Sequence, residues 1–196
     1  MGHLTRPRHP IVDRALNLSR RYCDGQIIDD APAFTHACRV AVALGTHDPA
    51  STPEMIAAAL LHDTPEFAHP DTNLSVALAY GVADGVAPLV LAVHDEHQAM
   101  TSGTAPRVPS DGAVTRIMAA DKVIAFRALV RRASRSPDPV HFWSHREGLR
   151  KLMPWFAEWS ALAAPGLPPS LRGQLTQSYA QLSAAMSGAP SASAAR

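Results

Sequence analysis

The chain has 196 residues, 46% of them hydrophobic and 18% charged, which is enough for one globular domain with a sizeable core. Eighteen Lys+Arg against 17 Asp+Glu leave a formal charge of +1; that balance gives no sign of bulk binding to a nucleic-acid polymer, and none is expected, but it leaves room for a local basic pocket for phosphates. Cys23 and Cys38 are the only cysteines, too few for a disulfide framework, and as reduced thiols they point to a cytoplasmic protein.

The opening segment MGHLTRPRHPIVD is basic but has no apolar core of the kind a signal peptide needs. No uninterrupted apolar stretch reaches membrane-spanning length, so no membrane partner is expected. No clear run alternates apolar and polar residues, whereas alanine and leucine recur at helical spacing between prolines and glycines. The spacing predicts helices at 10–22, 32–44, 53–63, 73–81, 84–100, 112–134, 138–150, 152–163 and 168–187. Gly45 is read as the stop of the second helix, and Ser51-Thr52-Pro53-Glu54 as a cap, a first-turn proline and a Ser-x-x-Glu capping box for the third. Asp111-Gly112 starts the long helix after a loop, TSGTAPRVPSDG, whose length suggests a functional segment. The whole is expected to be one all-α domain over 1–186, with a low-complexity tail, 187–196, expected to be disordered.

Three of these helices carry a polar residue where a core residue belongs. His36 aligns with Val40, Ala43 and Leu44 on one face. His62 and Asp63 close the apolar run MIAAALL. Asp121 falls in the stripe Val114, Ile117, Met118, Asp121, Ile124, Ala125, Ala128, with Arg116, Lys122, Arg127 and Arg131 elsewhere around the helix. A carboxylate on a core stripe is costly unless it is paired or bound to a metal. His36, His62, Asp63 and Asp121 together supply imidazoles and carboxylates that suit a divalent ion with positions left for water and substrate. Consecutive side chains on a helix diverge by about 100°, so His62 and Asp63 can fill neighbouring coordination positions.

A histidine, a later His-Asp pair and a still later aspartate, all on helices, resemble the HD superfamily of metal-dependent phosphohydrolases. "RRYCDGQIIDDAPAFTHACRVA", "AAALLHDTPEFA", "AYGVADGVAPLVLAV" and "AADKVIAFRAL" look like successive segments of the hydrolase domain of RelA/SpoT-type alarmone enzymes and their small single-domain relatives. The resemblance covers about residues 14–132, and a helical extension, about 138–186, follows it. It implies an HD-type helical bundle in which His36, His62, Asp63 and Asp121 hold the metal and Glu66 sits near the attacking water. The chemistry implied is manganese-dependent removal of the 3'-pyrophosphate from guanosine tetra- or pentaphosphate, and an adenosine counterpart is the other substrate considered. Two positions depart from the pattern: Phe67 stands where the alarmone enzymes have Asp, and Ala125 where they often have Asn.

A second branch, the 5'-deoxynucleotidase-like phosphatases, is resembled through the series His62, Asp63, Glu66 and Asp71, which makes a nucleotide monophosphatase the alternative. A catalytically weak, nucleotide-binding HD sensor is the second alternative, supported by Phe67 and Ala125. In the enzymatic readings Glu66 orients the water or shuttles its proton, although Pro65 leaves the helical continuity from His62 open. Arg20 or Arg21, and after them Lys122, are the cations expected to meet substrate phosphates. Arg107 is a candidate for a lid over the substrate, and His94 or His97 for the pocket wall. His141 and His145 are assigned to core packing with the tryptophans around them, and the C-terminal helices either complete the core or form a homodimer face.

Overall fold

A computed structural model describes residues 9–28 and 31–188; the expected tail, from residue 189 on, lies outside the described residues. The protein is all-α, with one very short hairpin as its only sheet among the described residues. No helix among them is long and apolar enough to cross a membrane. The contacts divide the chain into two compact units, Met1–His97 and Gln98–Arg196.

In the first unit, α1 (Pro10–Tyr22) begins with proline at its first position, and the His9 ring accepts a hydrogen bond from the Ile11 N–H at 3.3 Å. Gly25, at φ 68°, takes the left-handed conformation that glycine tolerates best. It leads into β1 (Ile27–Ile28), which pairs antiparallel with β2 (Ala31–Pro32). Two residues per strand are too few for alternation to show, so the sequence pattern carries no sign of this hairpin.

α2 (Ala33–His47) does not stop at Gly45. The stop is Asp48, whose buried carboxylate accepts from the Ala50 N–H at 3.2 Å and the Ser51 hydroxyl at 3.0 Å, an Asx turn that ends the helix from outside. Gly45 remains inside α2, where an added Cβ would just touch Ile56 Cδ1 at 3.4 Å. The same turn overrides the expected capping box. Ser51 is committed to Asp48, and Thr52 caps α3 (Pro53–Leu61), its hydroxyl accepting from the Met55 N–H at 3.3 Å.

α3 packs against α1 and α2 and is buried nearly all round, with Ala57, Ala58, Ala59 and Leu61 fully enclosed. The helical hydrogen bonding ends one residue before His62, and a separate turn, α4 (Thr64–Phe67), carries Pro65 and Glu66. Pro65 thus sits in a first turn, where its missing N–H costs nothing. α5 (Leu74–Gly81) is capped by Asn73, which accepts from the Val76 N–H at 3.2 Å. α6 (Val86–Thr101) buries Val86, Val90, Val93 and His97.

In the second unit, α7 (Gly112–Ala133) starts where expected, with Asp111 accepting from the Ala113 N–H at 2.8 Å. Its expected stripe needs correction. Residues from Ile117 to Val123 are buried on every side, Lys122 included, and the burial then follows Phe126, Leu129 and Ala133 rather than Ile124, Ala125 and Ala128. The expected helix 138–150 breaks at His145 and Arg146 into α8 (Pro139–Ser144) and α9 (Glu147–Ala163), and α9 absorbs Pro154. Asp138 caps α8 by accepting from the His141 N–H at 2.9 Å. α10 (Pro169–Ser187) lies along α7 and buries Leu171, Leu175, Ser178, Leu182 and Met186, a helical 4-3-4-4 spacing. Arg127 of α7 hydrogen-bonds Gln174 of α10, and Phe126 meets Phe156 edge-on at 5.1 Å.

Candidate metal centre

The buried run of α3 delivers His62 and Asp63 into the interior of the first unit, 1% and 7% exposed. His62 Nδ1 lies 2.9 Å from the Ala59 carbonyl oxygen. A carbonyl can only accept, so Nδ1 carries the ring proton and Nε2 presents its lone pair to the other side. Asp63 Oδ1 lies 3.2 Å from Nε2. Two acceptors this close in a buried setting repel unless a proton or a cation lies between them. The other carboxylate oxygen, Asp63 Oδ2, is buried with no hydrogen-bond partner among the described residues and sits 3.9 Å from Nε2 of half-buried His36. The rings of His36 and His62 are tilted at 48°, their centroids 5.4 Å apart.

These distances suit a common ion. With ligand bonds of about 2.1 Å, donors on one ion stand about 3–4 Å apart. Backbone-anchored imidazole beside carboxylate is also the arrangement by which proteins fix a ligand's tautomer toward a metal. The donor set, imidazole nitrogen with carboxylate oxygen, fits a divalent cation.

Two further donors join Asp63. The ligand atoms of Asp63, Glu66 and His97 lie within 4.8 Å of one another. Glu66 is exposed, and its N–H donates to the Asp63 carbonyl at 3.0 Å, so the α4 turn holds it beside the aspartate. His97 is buried, 8% exposed, with its ring centroid 6.1 Å from that of His62. From sequence, His97 is a candidate for the pocket wall and not for a ligand. The signal was present: His97 continues the stripe Val86, Val90, Val93, the same pattern that singled out His36.

The remaining expected site residues are distributed as follows. Asp121 belongs to the second unit, where it is 4% exposed and accepts from Lys122 Nζ at 2.8 Å. Lys122 is itself buried and lies over the Phe156 ring at 5.8 Å, so the ammonium expected to meet phosphate is engaged by its neighbour. Arg20 and Arg21 are both exposed, and with Arg14 and Asn17 they line a groove of about 430 Å³. Arg20 also covers the Phe34 ring at 5.3 Å, at the edge of an apolar cavity of about 400 Å³ formed by Leu16, Cys38 and Leu60 among others. Asp71 stands in an exposed turn with His69 Nδ1 at 3.5 Å, outside the Asp63 group. His94 is half-buried, and its Nδ1 has no hydrogen-bond partner among the described residues. Arg107 is exposed, in a segment tied at one end by the Trp155 indole N–H donating to the Thr104 carbonyl at 2.9 Å. His141 and His145, expected in the core, are instead both exposed, their rings 4.0 Å apart between centroids and tilted at 50°.

Neither thiol is disposed to act as a nucleophile. Burial pushes the Cys23 thiol up, the Ser19 hydroxyl 3.8 Å away opposes this, and the Asp63 charge adds to the rise. Burial also raises Cys38, against the pull of Arg20. Comparison of the chain with protein-family models and with curated proteins finds no match.

Proposed function

We propose that the protein is a metal-dependent phosphohydrolase of the HD type acting on a nucleotide, with a nucleoside 3'-pyrophosphate of the alarmone kind as its substrate. One observation carries the reading: His62 Nε2 lies 3.2 Å from Asp63 Oδ1, and buried Asp63 Oδ2 has no hydrogen-bond partner among the described residues. His62 and Asp63, both of the first unit, are the donors that support a cation site. The sequence resemblance adds Asp121 as a further ligand.

When bound, a divalent ion supplies Lewis acidity, which makes water a competent nucleophile near neutral pH and draws charge from the phosphoryl oxygens. The chain's own groups do the rest. Glu66, exposed beside Asp63, accepts the proton of the attacking water. Arg20 and Arg21 hold phosphate oxygens from the groove they share with Arg14, whose own guanidinium is anchored to the Val82 carbonyl at 2.8–3.0 Å. Manganese is the proposed ion, and two thiols kept protonated fit the reducing cytoplasm proposed for the chain.

The test is product identity. Manganese-loaded protein is offered guanosine and adenosine 3'-pyrophosphates beside a panel of nucleoside and deoxynucleoside monophosphates. Pyrophosphate released from the 3'-pyrophosphates is the expected result. Orthophosphate released from the monophosphates alone would replace this reading with the nucleotidase one. Nucleotide binding without any product would replace it with a sensor.

A further inference from the structure

We infer that the apolar cavity between α1, α2 and α3 binds a free medium-chain fatty acid, with the acyl chain in the cavity and the carboxylate on Arg20. The inference uses no metal and stands apart from the hydrolase reading.

The cavity, about 400 Å³, falls in the range of small-molecule sites, about 300–1,000 Å³. Two of its walls are rows at four-residue spacing: Val12, Leu16 and Arg20 on α1, and Phe34, Cys38 and Val42 on α2. Ile56 and Leu60 of α3 complete the lining at the same spacing. Side chains four apart lie one above the other on a helix, so each wall is a ridge that runs along its helix. From Val12 to Arg20 the rise along α1 is about 12 Å, comparable with an extended decanoyl chain.

This surface is apolar and left uncovered. Val12, Leu16, Phe34, Cys38 and Ile56 are half-buried and Val42 is 68% exposed, whereas Ala15, Ala37 and Leu44, on other faces of the same helices, are fully enclosed. A contiguous apolar concavity kept in water marks a binding site.

The lining also states the chemistry of the ligand. Apart from the Arg20 guanidinium and the Cys38 thiol, no polar side chain faces the cavity. A nucleobase, a sugar or a peptide backbone would bury polar atoms there with nothing to pair with them, a cost an alkyl chain does not meet. Arg20 is the only charged residue of the lining. Its guanidinium is held over the Phe34 ring at 5.3 Å, and among the described residues no carboxylate pairs with it. A guanidinium fork takes a carboxylate in a bidentate pair, so an apolar channel that ends in Arg20 complements a chain that ends in a carboxylate. Arg20 is also a wall of the groove it shares with Arg14 and Arg21, so an acid bound here withdraws it from a phosphate in that groove.

The test is calorimetric titration of the full chain with decanoate, below its micellar concentration and in chelator, so that the outcome is independent of any metal. A single saturable site is expected. Arg20→Gln, whose exposed position spares the fold, should weaken binding by about 10-fold. Decyltrimethylammonium, the same chain with the opposite head charge, should bind weaker than decanoate by about 10-fold or more. Val42→Glu, exposed at the rim, places a like charge beside the carboxylate and should weaken decanoate as well. Absence of saturable decanoate binding would overturn the site. Equal affinity for the two head groups, or none lost in Arg20→Gln, would overturn the role of Arg20 and with it the fatty-acid assignment. A wild-type dimer in sedimentation that Val42→Glu dissociates would give this face to a second copy of the chain instead.

Discussion

Asp63→Asn is expected to abolish metal binding and to lower hydrolysis by about 10³-fold or more, since an ion's contribution of several kcal/mol is lost. The same substitution should leave the metal-free protein as stable as the wild type or more so. In the wild type Asp63 Oδ1 lies 3.2 Å from His62 Nε2, an acceptor beside an acceptor. An Asn amide at that place can turn an N–H toward Nε2 instead, and a satisfied buried hydrogen bond contributes about 1 kcal/mol. Urea unfolding in chelator, beside activity with manganese, reads both effects. Opposite signs for stability and function are the mark of a site kept strained for its ligand. Loss of both together would reduce Asp63 to a structural residue, and retained activity would remove it from the chemistry.

The second large effect is on stability and lies far from the centre in sequence. Trp159 in α9 is 0% exposed and stacks on Trp155 at 6.2 Å between centroids with 8° between planes. Trp159→Ala should cost about 3–5 kcal/mol through lost burial and the cavity left behind. At about 2–4 °C per kcal/mol for a chain of this size, the melting transition of the second unit should fall by about 6–20 °C. Trp159→Phe should cost much less than its volume change suggests. The indole Nε1 is buried with no hydrogen-bond partner among the described residues, and removing such a group returns about 1–3 kcal/mol of desolvation. Equal losses for Ala and Phe in urea titrations would show that this N–H is satisfied in solution.

How far the sequence could be read follows from the range of the forces involved. Helix starts were legible where a local cap sets them: Asp111 for α7 and Asn73 for α5 are set by side chains two or three residues away. The ends that misled were decided by a competitor. Ser51 fits a capping box in isolation, but Asp48 engages its hydroxyl first, and the same carboxylate moves the end of α2 past Gly45. On α7 the face to be buried was misjudged because alanines gave the periodicity little contrast, and burial on all sides through 117–123 has no periodicity to find.

At the centre, polar residues on apolar faces mark His36 and the His62-Asp63 pair, which the first unit does bring together. His97 on α6 shows the same pattern. What no local pattern could give is the tautomer of His62, because that depends on a carbonyl of the preceding turn aligned by the burial of α3. Nor could it tell that Lys122, next to Asp121 in sequence, would be buried and paired with it rather than free for phosphate.

The measurement that tests the central claim most directly is electron paramagnetic resonance of manganese titrated into the chelator-stripped full chain. The account predicts that the six-line spectrum of the hydrated ion is suppressed until the protein's sites are filled, and that His62→Ala restores it from the first addition. A wild-type titration that follows the buffer blank from the start would contradict a metal centre at His62 and Asp63, and with it the proposed chemistry.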